Sequence, residues 1–211
     1  MVGNQKFSKK EALRFGWITM KNNIGFFIGI LLVAGLFPVA SGIINKTVEL
    51  NKGNNAVIFL LLVIAIAIWA LQRVVEMGSM RIALKFNDKE KPIFSDLFSC
   101  FSLFFKYIAG TILYLLIMIG GLCLLVVPGI IWMIKFQFFG YLIIDKNLGP
   151  IEALKKSYEI TRGVKWDLFL FHVIMMALVF LGALCLLVGL FAAIPMALVA
   201  YTYVYRKLSP K

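Results

Sequence analysis

Three polar side chains stand inside otherwise apolar stretches of the sequence: Lys135, Gln137 and His172. A lysine at membrane depth costs ~2.5–3.5 kcal/mol on insertion scales, so its ammonium needs acceptors or a route to water. Such a group suits the recognition of charge or of a polar head inside a helix bundle. Pro38 and Pro195 occupy a similar position along their own apolar segments, and Pro128 opens another. A proline within a helix leaves the carbonyl four residues earlier without its N–H partner, here those of Ala34 and Phe191. These carbonyls are the expected acceptors for Lys135, with Pro38, Pro128 and Pro195 as the expected helix interruptions. The competing expectation is a lysine whose stem lies along apolar surface and carries the charge out to water.

His172 is the only histidine, and Asp167, five positions earlier, lies off its helical face. It reads as a hydrogen-bonded packing residue rather than a catalyst. The chain carries no phosphate-binding glycine loop and no His-x-x-x-His signature. It also lacks Gly-x-Ser-x-Gly and any nucleophile with an evident base. Cys100, Cys123 and Cys185 are odd in number and without ligand spacing. The expectation is therefore a non-enzymatic protein without metal or cofactor, with an intramembrane enzyme using His172 or Lys135 as the remaining alternative.

The elements that hold these residues follow from composition. Of 211 residues 62% are hydrophobic and only 15% charged, against roughly 25% charged in a soluble domain. Six spans of ~20 residues use about 120 residues, close to the whole apolar content. Leu168–Tyr205 is free of formal charge over 38 residues. As one helix it measures ~57 Å, too long for a hydrocarbon core of ~30 Å, so it folds into a hairpin. The same arithmetic divides Tyr107–Ile144, interrupted only by Lys135. The predicted fold is an all-α polytopic membrane bundle. Its six spans, at about 23–44, 54–75, 107–126, 128–145, 168–188 and 189–206, pair as three hairpins. Ala40-Ser41-Gly42 mildly resembles a signal cleavage site, but the hydrophobic run before it reads as a retained first span.

The formal charge of +12 suggests nucleic acid until the basic residues are placed. Nineteen of the 22 fall before span 1, between spans 2 and 3, between spans 4 and 5, or after span 6, counting Arg73 and Arg206 at the inner ends of spans 2 and 6. Only Lys46 and Lys52 lie opposite, and Lys135 lies within a span. Basic connections stay cytoplasmic, which predicts both termini inside and excludes nucleic acid as the reason for the charge. Each hairpin follows a segment with helical apolar spacing and basic residues off the apolar side: 8–21, 93–106 and 150–162. The apolar faces read as Leu13, Gly16, Trp17 and Met20; as Phe94, Leu97, Phe98, Phe101 and Phe105; and as Ile151, Leu154 and Tyr158. Short helices of this kind lie in the interfacial plane, with Lys10, Arg14, Lys155, Lys156 and Arg162 as expected contacts to anionic headgroups. Pro150 suits a first helical turn, and Gly163 suits a helix end.

Pro128-Gly129-Ile130-Ile131, Lys135, Asp145 and the run Gly149-Pro150-Ile151-Glu152-Ala153-Leu154-Lys155-Lys156-Ser157-Tyr158-Glu159-Ile160-Thr161-Arg162-Gly163 resemble a prokaryotic family of six-span membrane proteins. That family is related to the glycerophosphoryl diester phosphodiesterase membrane domain. The resemblance covers residues 8–207 in layout and is specific over 128–166, where Ala153, Leu154, Ser157, Thr161 and Gly163 carry the pattern. It implies a membrane module in the prokaryotic inner membrane without the catalytic barrel, which needs ~250 residues by itself. The functional expectation is a module that binds or moves a lipid, an amphiphile or a small solute. The alternative is an accessory subunit that engages a partner protein, or a second copy, through its cytoplasmic helices.

Overall fold

A computed structural model describes residues 7–185 and 188–210; Lys6, Leu186, Leu187 and Lys211 of the segments above lie outside this range. The described residues are helical and contain no strand. Helix α1 spans Lys9–Asn22, and Ser8 Oγ accepts the Glu11 N–H at its start, as an N-cap serine does. Asn23 separates it from α2, Ile24–Leu50. Asn54 Oδ1 accepts the Val57 N–H to open α3, Asn55–Asn87. At ~1.5 Å per residue α3 is ~50 Å long, so it runs well past the expected span end near residue 75. Its buried residues, Val74 to Leu84, all lie in that second half.

Residues 93–106 differ from the amphipathic helix read from their spacing. Phe94–Phe98 and Phe101–Leu103 form two short 3-10 turns leading into α4, Phe104–Leu124. Asp96 sets the geometry: its carboxylate accepts the Ile93 N–H at 2.8 Å and the Lys85 ammonium at 2.6 Å. The Leu97 backbone then presses against Gly78 of α3 so closely that a Cβ there has no room.

The expected span 128–145 is two helices, α5 at Val126–Phe136 and α6 at Phe139–Lys146. The chain breaks at Gln137–Phe138 and not at a proline. By contrast α2 continues through Pro38, and Pro128 sits in the first turn of α5. Asn147, in the left-handed conformation, ends α6. Helix α7, Pro150–Ile160, starts with its proline in the first turn, and Gly163 follows at φ 91°, where a side chain would be strained. Helix α8 spans Lys165–Leu184 and α9 spans Leu190–Leu208, the latter unbroken at Pro195.

Among the described residues, five segments are long and apolar enough to cross a membrane: Ile24–Leu50, Asn55–Asn87, Phe94–Leu124, Val126–Lys146 and Lys165–Leu184. Helix α9 is more polar, because Thr202, Arg206, Lys207 and three tyrosines fill its second half. Two apolar cores hold the bundle. One gathers Phe138, Leu142, Phe171, Val204 and Tyr205. The other gathers Phe27, Val75, Ile82, Leu97 and Val199.

Candidate functional site: a broken helix, an ion triad and a groove

The break between α5 and α6 frees backbone groups that a continuous helix would pair with one another. Ser157 of α7 meets them from both sides. Its Oγ donates to the Lys135 carbonyl at 2.9 Å and accepts the Phe138 N–H at 3.1 Å. Thr161 Oγ1, one turn on, lies 3.1 Å from the same Lys135 carbonyl and shares its proton with the Ser157 carbonyl at 2.9 Å. Tyr114 of α4 donates to the Met133 carbonyl at 3.4 Å. Irregular backbone in an apolar bundle persists where protein groups satisfy it, and here α7 supplies them. Ala153, Ser157 and Thr161 follow one another at four-residue spacing and are fully buried. The buried face of α7 is therefore the one that braces the break. Ile151 and Tyr158, expected on the apolar face, are exposed.

Helix α1 is likewise committed to the protein. Ala12, Gly16 and Met20 form its buried face, and a Cβ on Gly16 would lie 2.6 Å from the Met196 carbonyl of α9. Trp17, placed on the same face from sequence, points outward and is 49% exposed. Lys10, Arg14, Lys155, Lys156 and Arg162 are all exposed, and Lys156 pairs with Glu159 at 2.9 Å.

The three polar residues singled out first take different partners. The Lys135 ammonium sits 4.6 Å from the centroid of the Tyr158 ring, a cation–π contact with α7 in place of the expected proline-freed carbonyls. Gln137 Nε2 donates to the Ile134 carbonyl at 3.1 Å and closes the end of its own helix. His172 Nδ1 lies 2.6 Å from Tyr201 Oη, across α8 and α9. Asp167 pairs with Lys9 at 2.6 Å.

An ion triad ties the ends of three helices. Arg206 grips Asp145 with Nη1 and Nη2 at 2.6 and 2.7 Å, and Asp88 with Nε and Nη2 at 2.9 and 2.7 Å. Tyr205 Oη adds a bond to Asp145 at 2.8 Å. All three ionised side chains are at most 14% exposed. A planar guanidinium with five donors can bridge two carboxylates in this way, and a lysine cannot.

A groove of about 380 Å³ opens between α2, α3 and α9. Phe27, Ile30 and Ala34 line one wall, and Pro195 and Leu198 another. The third wall is a polar stripe on α3: Gln72, Glu76 and Ser79, spaced four and three residues apart and so on one helical face. Glu76 is held by Arg73 Nη1 at 2.7 Å and by Tyr107 Oη at 3.2 Å. Read from sequence, Glu76 and Arg73 look like interfacial charge neighbours. The spacing Gln72–Glu76–Ser79 in an apolar helix was the signal for the groove.

Comparison with known proteins gives relatives without stated activities. The chain is 29% identical over 169 residues to "Uncharacterized protein Mb2590" of Mycobacterium bovis, an alignment covering 80% of this chain and 51% of that protein. It is 28% identical over 169 residues to "Uncharacterized protein Rv2560" of Mycobacterium tuberculosis, with the same coverage. The chain thus spans about half the length of the curated relatives it matches. No solved structure matches it. A family model matches residues 97–206, the stretch that contains the broken helix, its α7 brace and Arg206. The chain belongs to that family, described as "Domain of unknown function (DUF7847)".

Proposed function

We propose that the chain is a non-enzymatic module of the prokaryotic cell membrane that binds an amphiphile in the groove between α2, α3 and α9. In this reading it crosses the bilayer six times, at about 23–44, 54–75, 107–126, 128–145, 168–188 and 189–206, with both termini cytoplasmic. The basic connections support that orientation. The resemblance of residues 128–166 to a prokaryotic six-span family related to the glycerophosphoryl diester phosphodiesterase membrane domain supports a membrane module and supplies no catalytic step. One observation carries the functional reading: an otherwise apolar groove with Gln72, Glu76 and Ser79 along a single wall. Binding sites for small molecules are mostly apolar with a few placed polar groups.

The accessory-subunit reading has less to support it. The buried faces of α1 and α7 are already occupied by α9 and by the α5–α6 break. Native mass spectrometry of protein extracted with its lipids tests the groove. Wild type is expected to retain an amphiphile-sized adduct, and Ala34→Trp, which fills the groove, is expected to lose it with unchanged thermal unfolding. Equal adducts on both proteins would overturn the reading.

A further inference from the structure

Resting on the groove reading, the geometry points to a more specific ligand: an amphiphile with a cationic, hydrogen-bond-donating head such as a primary ammonium. The groove is open along one side and measures about 380 Å³, room for at least one acyl chain.

The walls determine the head. Glu76 is the one ionised side chain among the groove-lining residues, and it is negative. Its two oxygens each hold one donor, Tyr107 Oη and Arg73 Nη1. An ionised carboxylate offers about four lone-pair positions, so it can accept from a ligand as well. Ser79 spends its proton on the Val75 carbonyl at 2.8 Å and therefore faces a ligand as an acceptor. Gln72, one turn from Glu76, adds an amide that can accept through its oxygen or donate through its NH2. On the opposite wall Ala34 has no helical N–H for its carbonyl, because residue 38 is proline. With Arg73 already paired to Glu76, the acceptors left to a ligand are the free lone pairs of Glu76, Ser79 Oγ and the Ala34 carbonyl, which suit an ammonium with three donors better than a carboxylate or phosphate head.

The test uses the full chain in phosphatidylcholine nanodiscs with two diazirine-tagged probes of equal chain length, a long-chain primary amine and the matching fatty acid. After irradiation, labelled peptides are mapped by mass spectrometry. The amine is expected to label residues 27–37 and 194–198 at least several-fold more than the acid. Glu76→Gln is expected to bring the amine down toward the level of the acid. Gln72→Leu, which leaves the Tyr107 and Arg73 contacts of Glu76 in place, is expected to weaken amine labelling to a lesser degree. If Glu76→Gln fails to fold, the amine-to-acid ratio on wild type still decides. Equal labelling of the groove by both probes sinks the cationic-head inference and leaves the groove reading standing. No groove labelling by either probe, with Ala34→Trp indistinguishable from wild type, sinks both.

Discussion

Arg206 holds Asp145 by a two-point clamp, with Nη1 on Oδ2 at 2.6 Å and Nη2 on Oδ1 at 2.7 Å, across 61 positions of sequence. The same guanidinium holds Asp88, 118 positions away. The last turn of α9 is thereby fixed to the ends of α3 and α6. Removing one partner of a buried ion pair costs ~3–5 kcal/mol, because the remaining charge is left uncompensated. Arg206→Met leaves two such carboxylates and is expected to lower the thermal midpoint strongly. Arg206→Lys should recover only part of the loss, since an ammonium lacks the planar fork. Equal midpoints for Arg206→Met and wild type would show that the triad adds no stability.

Ser157 serves the chain break in two directions, and this predicts an asymmetry between Ser157 and Thr161. Ser157→Ala strands the Phe138 N–H and leaves the Lys135 carbonyl to Thr161 alone, a loss of ~1–3 kcal/mol for an unsatisfied buried group. Thr161→Val leaves the Ser157 bonds to the break intact and should cost less. Denaturation of the two variants in the same detergent compares them, and a larger loss for Thr161→Val would contradict the assignment.

Gly78 lets the turn at Leu97 lie directly on α3. Gly78→Ala forces backbone against side chain, and overpacking of a tight core costs ~1–3 kcal/mol. Gly35 has open space around it, so Gly35→Ala is the control and should be close to neutral. Proteolysis of residues 89–103 should rise in the first variant and not in the second.

Much of the architecture is legible in the sequence because it is written in local patterns. The charge-free runs give the apolar helices, and Pro150 and Gly163 bound α7 where their backbone chemistry says they should. What periodicity misses is pairing at a distance. Asp88, Asp145 and Arg206 look like loop and tail charges until the fold joins them. Pro38, Pro128 and Pro195 are the interruptions the sequence leads one to expect, yet Pro38 and Pro195 are absorbed by their helices and Pro128 lies in the first turn of α5. The real break, at Gln137–Phe138, has no local breaker and exists because Ser157 and Thr161 satisfy it from another helix. The faces read from sequence for α1 and α7 hold at Gly16, Met20 and Leu154, which are buried, and fail at Trp17, Ile151 and Tyr158, which are exposed. The small residues Ala12, Ala153 and Ser157 take their places on the buried faces, since packing of helix backbones favours small side chains.

Lys135 over the Tyr158 ring gives a further measurable consequence. A cation–π contact is worth ~0.5–2 kcal/mol depending on desolvation. Lys135→Arg keeps the interaction, and Lys135→Met and Tyr158→Leu each remove it. In a double-mutant cycle the two removals should be less than additive. Strict additivity would assign the lysine to solvent.

The proposed six-span topology with both termini on one face is tested most directly by labelling single cysteines with a membrane-impermeant maleimide in intact and permeabilised cells. Lys10, Lys52 and Lys207 are exposed and serve as positions, in a background where Cys100, Cys123 and Cys185 are alanine. Lys52→Cys is expected to label in intact cells, and Lys10→Cys and Lys207→Cys only after permeabilisation. Labelling of Lys10→Cys and Lys207→Cys from opposite faces would mean an odd number of spans and would contradict the account.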